Sequence, residues 1–210
     1  METTRTLQRR AESGDPDAHF RLGYRLAYGR NRPRPTDWES VIRNWRSAAE
    51  LGHVRAQFYL GTCFDFGYGT KRNVKTAMRW YALAAEAGHP VAQCNLAFGY
   101  RKGAGVPKDQ ARSVHWLKKA ARAGDTDAQR DLGYAYHEGN GVPVNYRAAA
   151  RWYKKAAHAG DMKACWNLGL SYLNGEGVRA STRGAIDWLR KAAKKGDVNA
   201  RAKLKELEAS

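Results

Sequence analysis

Small and large apolar residues recur along this chain in one fixed order. Counting from a glycine, alanine stands four residues on, leucine eight and a large apolar side chain twelve. After Gly52 these are Ala56, Leu60 and Phe64; after Gly88, Ala92, Leu96 and Tyr100; after Gly124, Ala128, Leu132 and Tyr136; after Gly160, Ala164, Leu168 and Tyr172. Steps of four place all three on one face of a helix, here helix A. A small residue follows each leucine (Gly61, Ala97, Gly133, Gly169), so this face admits a close neighbour. A second helix, helix B, opens after Asp37, Asn73, Asp109, Asn145 and Ser181, all N-cap types in one register. It carries Trp80, Trp116, Trp152 and Trp188 and closes on alanine pairs such as Ala84–Ala85 and Ala156–Ala157.

The order repeats. Gly52, Gly88, Gly124, Gly160 and Gly196 are each 36 residues apart, and Gly14 lies 38 before Gly52, the two extra residues falling in "GRNRPRPTD". One helix pair cannot bury its aromatic face alone, but stacked pairs can, so the pattern predicts an all-α array. Five units span 15–52, 53–88, 89–124, 125–160 and 161–196. Residues 4–13 match the end of a helix B, with Leu7 and Ala11 in register, and residues 1–14 read as an N-terminal cap. Residues 197–210 read as a C-terminal capping helix whose later positions turn polar (Lys203, Lys205, Glu206, Glu208). The pairs Gly67/Gly69, Gly103/Gly105, Gly139/Gly141 and Gly175/Gly177 read as left-handed turn positions between helices.

Composition narrows the chemistry. With 43% hydrophobic residues in 210, a real core is expected. No apolar run is long enough to span a bilayer, and "METTRTLQRRAESGD" lacks the apolar core of a secretory signal, so the expected location is the cytoplasm. Cys63, Cys94 and Cys165 show neither CxxC spacing nor paired histidines, and no HExxH or GxSxG occurs. The Gly-x-Gly turns lack the GK[ST] ending of a phosphate loop. No catalytic residue, metal, cofactor or small-molecule substrate is therefore expected.

The stretch "AQRDLGYAYHEGNGVPVNYRAAARWYKKAAHAGD" resembles the SEL-one-like repeat, a relative of the tetratricopeptide repeat, and the resemblance covers essentially the whole chain. Repeat 1 departs from it: Asn31 stands for the second turn glycine, and Trp45 sits one place late in the tryptophan row. The resemblance implies a right-handed α-solenoid superhelix with helix A on the concave surface and helix B on the convex one. It also implies a non-catalytic protein-interaction module: an adaptor, a signalling scaffold or an effector-neutralising partner.

A ligand surface need not keep its chemistry from unit to unit, so the helix A positions that change are the candidates. On the expected concave face these give Phe20, Tyr24, Tyr28, Phe58, Phe66, Phe98, Tyr134 and Trp166 as anchors for a partner. Arg55, Arg101, Lys102 and Arg130 would pair with its carboxylates, so the expected partner is an acidic protein or peptide. The plainer role of Phe58 is packing between adjacent helices. The formal net charge of +17 allows an alternative, nucleic acid or another anionic surface meeting a basic ladder on helix B. Arg46, Lys118, Lys154 and Arg190 share one position of that ladder, and Lys119, Lys155 and Lys191 share the next. A solvated face matched to the helix dipole is the plainer reading of both rows.

Overall fold

The structure is a computed structural model describing residues 2–29 and 36–209. The described residues form twelve α-helices and no strand. The chain divides into two compact units, the first ending at Lys108 and the second beginning at Asp109. The first holds α1 (Thr4–Glu12), α2 (Pro16–Tyr28), α3 (Trp38–Glu50), α4 (Val54–Phe66), α5 (Val74–Glu86) and α6 (Pro90–Lys102). The second holds α7 (Gln110–Arg122), α8 (Thr126–Glu138), α9 (Tyr146–His158), α10 (Met162–Asn174), α11 (Thr182–Lys194) and α12 (Val198–Glu208). Within each unit the main packing joins helices adjacent in sequence, as a stack of helix-turn-helix repeats requires. The two-residue insertion assigned to "GRNRPRPTD", Asn31 included, lies almost wholly outside the described residues.

Capping chemistry sets the helix boundaries. Asp125 Oδ1 accepts from the Ala128 amide at 2.8 Å, and Asn73, Asp109, Asn145 and Ser181 cap their helices in the same way. At α4 and α6 an imidazole replaces the carboxylate: His53 Nδ1 accepts from Ala56 N–H at 3.1 Å and His89 Nδ1 from Ala92 N–H at 3.3 Å. The B helices end on a glycine of positive φ that lets the chain double back. At Gly88 the amide donates to Ala85 O at 3.1 Å and the His89 amide to Ala84 O at 2.9 Å, which satisfies carbonyls the helix leaves open. Three hairpins are tied at their turns: the Asn73, Asn145 and Ser181 amides donate to Phe64 O, Tyr136 O and Tyr172 O at 2.7, 2.8 and 2.9 Å.

The two helices of a hairpin meet at the small residue of helix A. A Cβ on Gly61, Gly133 or Gly169 would lie 2.8, 2.6 or 2.9 Å from Tyr81, Tyr153 or Leu189, so these large side chains occupy the space a side chain would need. Trp45 does the same against Gly23, at 2.6 Å. It is therefore not a displaced member of the tryptophan row but the counterpart of Tyr81 and Tyr153, almost fully buried, its Nε1–H donating to Phe20 O at 3.3 Å. In α12 the corresponding position is Lys205.

The second glycine of each turn has a role beyond its left-handed backbone. A Cβ on Gly105 would fall 2.6 Å from the Val74 carbonyl oxygen; Gly141 and Gly177 press equally on Gln110 and Tyr146, and Gly69 on the Trp38 side chain. Each turn thus rests on the start of the preceding repeat's helix B. A row missed in the sequence adds a second tie between repeats. Gln57, Gln93 and Gln129 are buried and donate Nε2–H to Ala49 O, Ala85 O and Ala121 O at 3.2, 3.0 and 3.2 Å. Only their shared place five residues after each repeat glycine could have revealed them.

These contacts separate two kinds of glycine. Gly88 has φ of 89° but nothing within 4 Å of an added Cβ, so Gly88→Ala carries only the left-handed penalty, about 1–2 kcal/mol. Gly105→Ala adds a collision with backbone that cannot rotate away, about 1–3 kcal/mol more. Urea denaturation should give the larger loss for Gly105→Ala; equal losses would remove the turn from the repeat-to-repeat contact.

Candidate functional site

The candidate face of the A helices separates by exposure. Phe20 is only 4% exposed, stacked on His53 with ring centroids 4.5 Å apart, and Arg55 lies over its ring at 4.8 Å. Phe58 is half-buried and stacks on His89 at the same 4.5 Å. Arg130, at the equivalent place, reaches Asp161 Oδ2 at 2.8 Å. In all three, the residue six after one repeat glycine packs on the residue that caps the next A helix. The pairs change chemistry together, phenyl with imidazole and guanidinium with carboxylate. Phe20 and Arg130 are thus corrected from partner contacts to contacts between repeats, and Phe58 takes its plainer role. Trp166 is half-buried against the core of the second unit and belongs with them.

Arg130 also contacts Asp127 at 2.6 Å and Asp131 at 2.9 Å. Burial opposes its charge, but Asp131, Asp127 and Asp161 outweigh that and push its pKa above the usual arginine value. It is neutralised within the fold rather than offered to a partner's carboxylates.

What remains in solvent is concentrated in the first unit. Tyr24 and Tyr28 of α2 are exposed and 5.0 Å apart; with half-buried Tyr59 of α4 they form an aromatic patch floored by Trp45. Phe98 of α6 is 50% exposed, with the Arg101 guanidinium 5.4 Å from its centroid. Arg55 and Lys102 are exposed, and no carboxylate among the described residues pairs with either. In the second unit Tyr134 is exposed, while the neighbouring His137 bridges Glu138 at 2.8 Å and Glu176 at 3.1 Å. Phe66 is exposed but turns to the α4–α5 turn, where it stacks on Tyr68. Tyr59 and Tyr68 were missed; the signal for Tyr68 was an aromatic between two turn glycines, where other repeats have Ala104, Asn140 and Glu176.

The basic ladder does not present a uniform row of free cations. Lys119, Lys155 and Lys191 lie over Trp116, Trp152 and Trp188, with Nζ 4.5, 4.5 and 3.7 Å from the ring centroids. In the other row, Lys118 Nζ is 5.7 Å from the Tyr136 centroid and Arg190 pairs with Glu208 at 3.4 Å. Arg46 and Lys154 remain exposed. The stretch "RWYKK" is therefore largely packing, with Lys155 on Trp152 and Tyr153 in the core.

Burial pushes the Cys63 thiol up to about 12 and raises that of Cys165 as well, and neither is disulfide-bonded. Among the described residues no cluster of His, Cys, Asp or Glu could hold a metal ion, and no helix is long and apolar enough to cross a membrane.

Stacked helix hairpins with glycine slots and capped, glycine-closed turns define a solenoid of the tetratricopeptide-like class. Five Sel1 repeats match residues 16–53, 54–89, 90–125, 126–161 and 163–197, and the chain belongs to the Sel1 repeat family. It is similar to c5321, described as a protective antigen of uropathogenic Escherichia coli strains displaying an SLR fold, with 36% identity over 99% of this chain and a TM-score of 0.92. It is also similar to a Sel1 repeat protein from Oxalobacter formigenes, with 35% identity over 97% of this chain and a TM-score of 0.82. This chain spans 44% of the first of those chains and 59% of the second. Comparison with curated proteins finds no match. Proteins of this family are generally protein-interaction modules and typically non-catalytic.

The imidazole caps carry a pH consequence. Burial holds His53 below its usual pKa, partly offset by Asp17 with Asp15 close by, while Arg55 lowers it further; burial and Arg55 lower His89. The unfolded chain then takes up protons first on acidification. Stability from these caps is full above about pH 6.5 and is lost as pH falls toward the depressed folded values. His137 acts oppositely: burial opposes its charge, but Glu138 and Glu176 outweigh it and raise its pKa, so its bridge is strongest in acid. Replacing both caps (His53→Asp, His89→Asp) should flatten the fall in thermal midpoint between about pH 7 and pH 5.5; an unchanged slope would remove the caps as its source.

Proposed function

We propose that this chain is a non-catalytic adaptor that holds an acidic protein or peptide on the exposed face of its A helices, chiefly in the first unit. The observation that carries this reading is the set of rings the scaffold leaves in solvent. Tyr24 and Tyr28, with Tyr59 beneath them, and Phe98 on α6 are not needed to close a repeat. Large rings with few rotamers make strong anchors, because little side-chain freedom is lost when a partner covers them. Charge points the same way. Arg55 and Lys102 lack a carboxylate partner among the described residues, whereas Arg130 of the second unit is already surrounded by three. Within the second unit, Tyr134 is an exposed ring on its own A helix.

The test compares affinity capture by the wild-type chain with capture by Tyr28→Ala/Phe98→Ala. Both side chains are half or more exposed, so the variant should keep the wild-type melting curve. The expected result is loss of a partner that wild type retains at moderate salt, with Arg55→Glu/Lys102→Glu losing the same partner. Equal recovery of every captured protein by wild type and both variants would end this reading.

A further inference from the structure

A column of three rings stands at the α4–α5 turn. Trp38 opens α3, and its ring stacks on Tyr68 with centroids 5.5 Å apart and planes 15° apart. Tyr68 stacks in turn on Phe66 at 5.7 Å and 19°. The column is built in: a Cβ on Gly69 would meet the Trp38 side chain, so the turn lies directly on that residue and sets Tyr68 against it. The column ends at Phe66, which is 62% exposed. A stack of near-parallel rings ending in solvent offers its last face to another planar group.

The surroundings select the occupant. Lys71 and Arg72 lie in the same turn and Lys75 in the first turn of α5; all three are exposed, and no carboxylate among the described residues pairs with them. Arg72 is anchored by its Nε–H to Asp65 O at 2.7 Å. Asp65 is the nearby acid, half-buried, with Oδ2 3.4 Å from the Tyr81 hydroxyl. An acidic peptide meets the cations but brings no flat group that repeats in step with its charges to stack on the ring column. A single-stranded nucleic acid uses both, since each nucleotide brings a flat base and a phosphate. The equivalent turns of the second unit carry Asn140 and Glu176 in place of Tyr68, so the column belongs to the first unit alone.

We infer that the Trp38–Tyr68–Phe66 column is a stacking platform for bases of single-stranded nucleic acid, with Lys71, Arg72 and Lys75 meeting its phosphates. This inference does not depend on the acidic-partner reading, which uses neither Tyr68 nor the turn cations.

Any protein of this charge binds polyanions, so the test isolates the base. Fluorescence anisotropy at low salt compares a labelled oligothymidylate of about 15 nucleotides with an abasic oligomer of equal length and charge, using the full chain. The oligothymidylate should bind about tenfold more tightly, the equivalent of ~1.4 kcal/mol. Phe66→Ala and Phe66→Leu should each erase that ratio while leaving the salt-dependent binding common to both oligomers, and Phe66→Trp should preserve it. Circular dichroism melts should match wild type, because Phe66 lies largely outside the core. Lys71→Glu/Arg72→Glu should weaken both oligomers together. Equal wild-type affinity for the two oligomers would overturn the inference, as would a ratio that survives Phe66→Ala. Tighter binding of a polyglutamate peptide that depends on Phe66 would overturn it in favour of an acidic protein partner.

Discussion

In four repeats helix B presses one large side chain against a glycine of the A helix in its hairpin, closer than a Cβ there would allow. Trp45 on Gly23, Tyr81 on Gly61, Tyr153 on Gly133 and Leu189 on Gly169 are the same contact made with different side chains. Ring or branched chain matters less than filling the slot, because close packing rewards volume and punishes overlap. The glycine turns and the caps hold the helices so that this contact forms in each of the four. The second turn glycine and the buried glutamines then fasten one repeat to the next.

That economy decides where function can reside. Trp45, Tyr81 and Tyr153 are consumed by the slots, Phe20 and Phe58 by stacking on the next cap, and Trp116, Trp152 and Trp188 by the lysines that lie over them. The caps and their neighbours exchange as pairs: Phe20 with His53, Phe58 with His89, Arg130 with Asp161. Variation between repeats does not by itself mark a ligand surface: at this row it marks a contact whose two sides change together. Exposed rings outside all these roles stand mostly on α2, α4 and α6 and at the α4–α5 turn, with Tyr134 and Tyr146 in the second unit, so the first unit carries most of the unassigned surface.

The repeat was legible because its signals are local. Cap residues, glycines at positive φ and four-residue apolar spacing act within one turn of helix, and each recurs in several repeats. The exposed members of the A-helix set were legible too, as Tyr28 and Phe98 show. What could not be read was pairing across repeats: nothing near Phe20 in sequence announces His53, and nothing near Arg130 announces Asp161. Trp45 misled for a related reason. Its residue type points to the tryptophan row, but the adjacent row, defined by the space above Gly23, is the one that buries it. The basic ladder overstated its freedom because a lysine three residues after a tryptophan on a helix folds back onto the ring, a contact that charge counting does not register.

The central claim is that the scaffold uses up the residues repeated in every unit and leaves binding to the unshared rings of the first unit. Hydrogen–deuterium exchange of the full chain, alone and saturated with a captured protein partner, tests it most directly. The account predicts new protection in α2, α4 and α6, around Tyr24, Tyr28 and Phe98, with the tryptophan–lysine pairs of α7, α9 and α11 unchanged. Protection centred on Trp116, Trp152 and Trp188, with α2 and α6 unaffected, would contradict it.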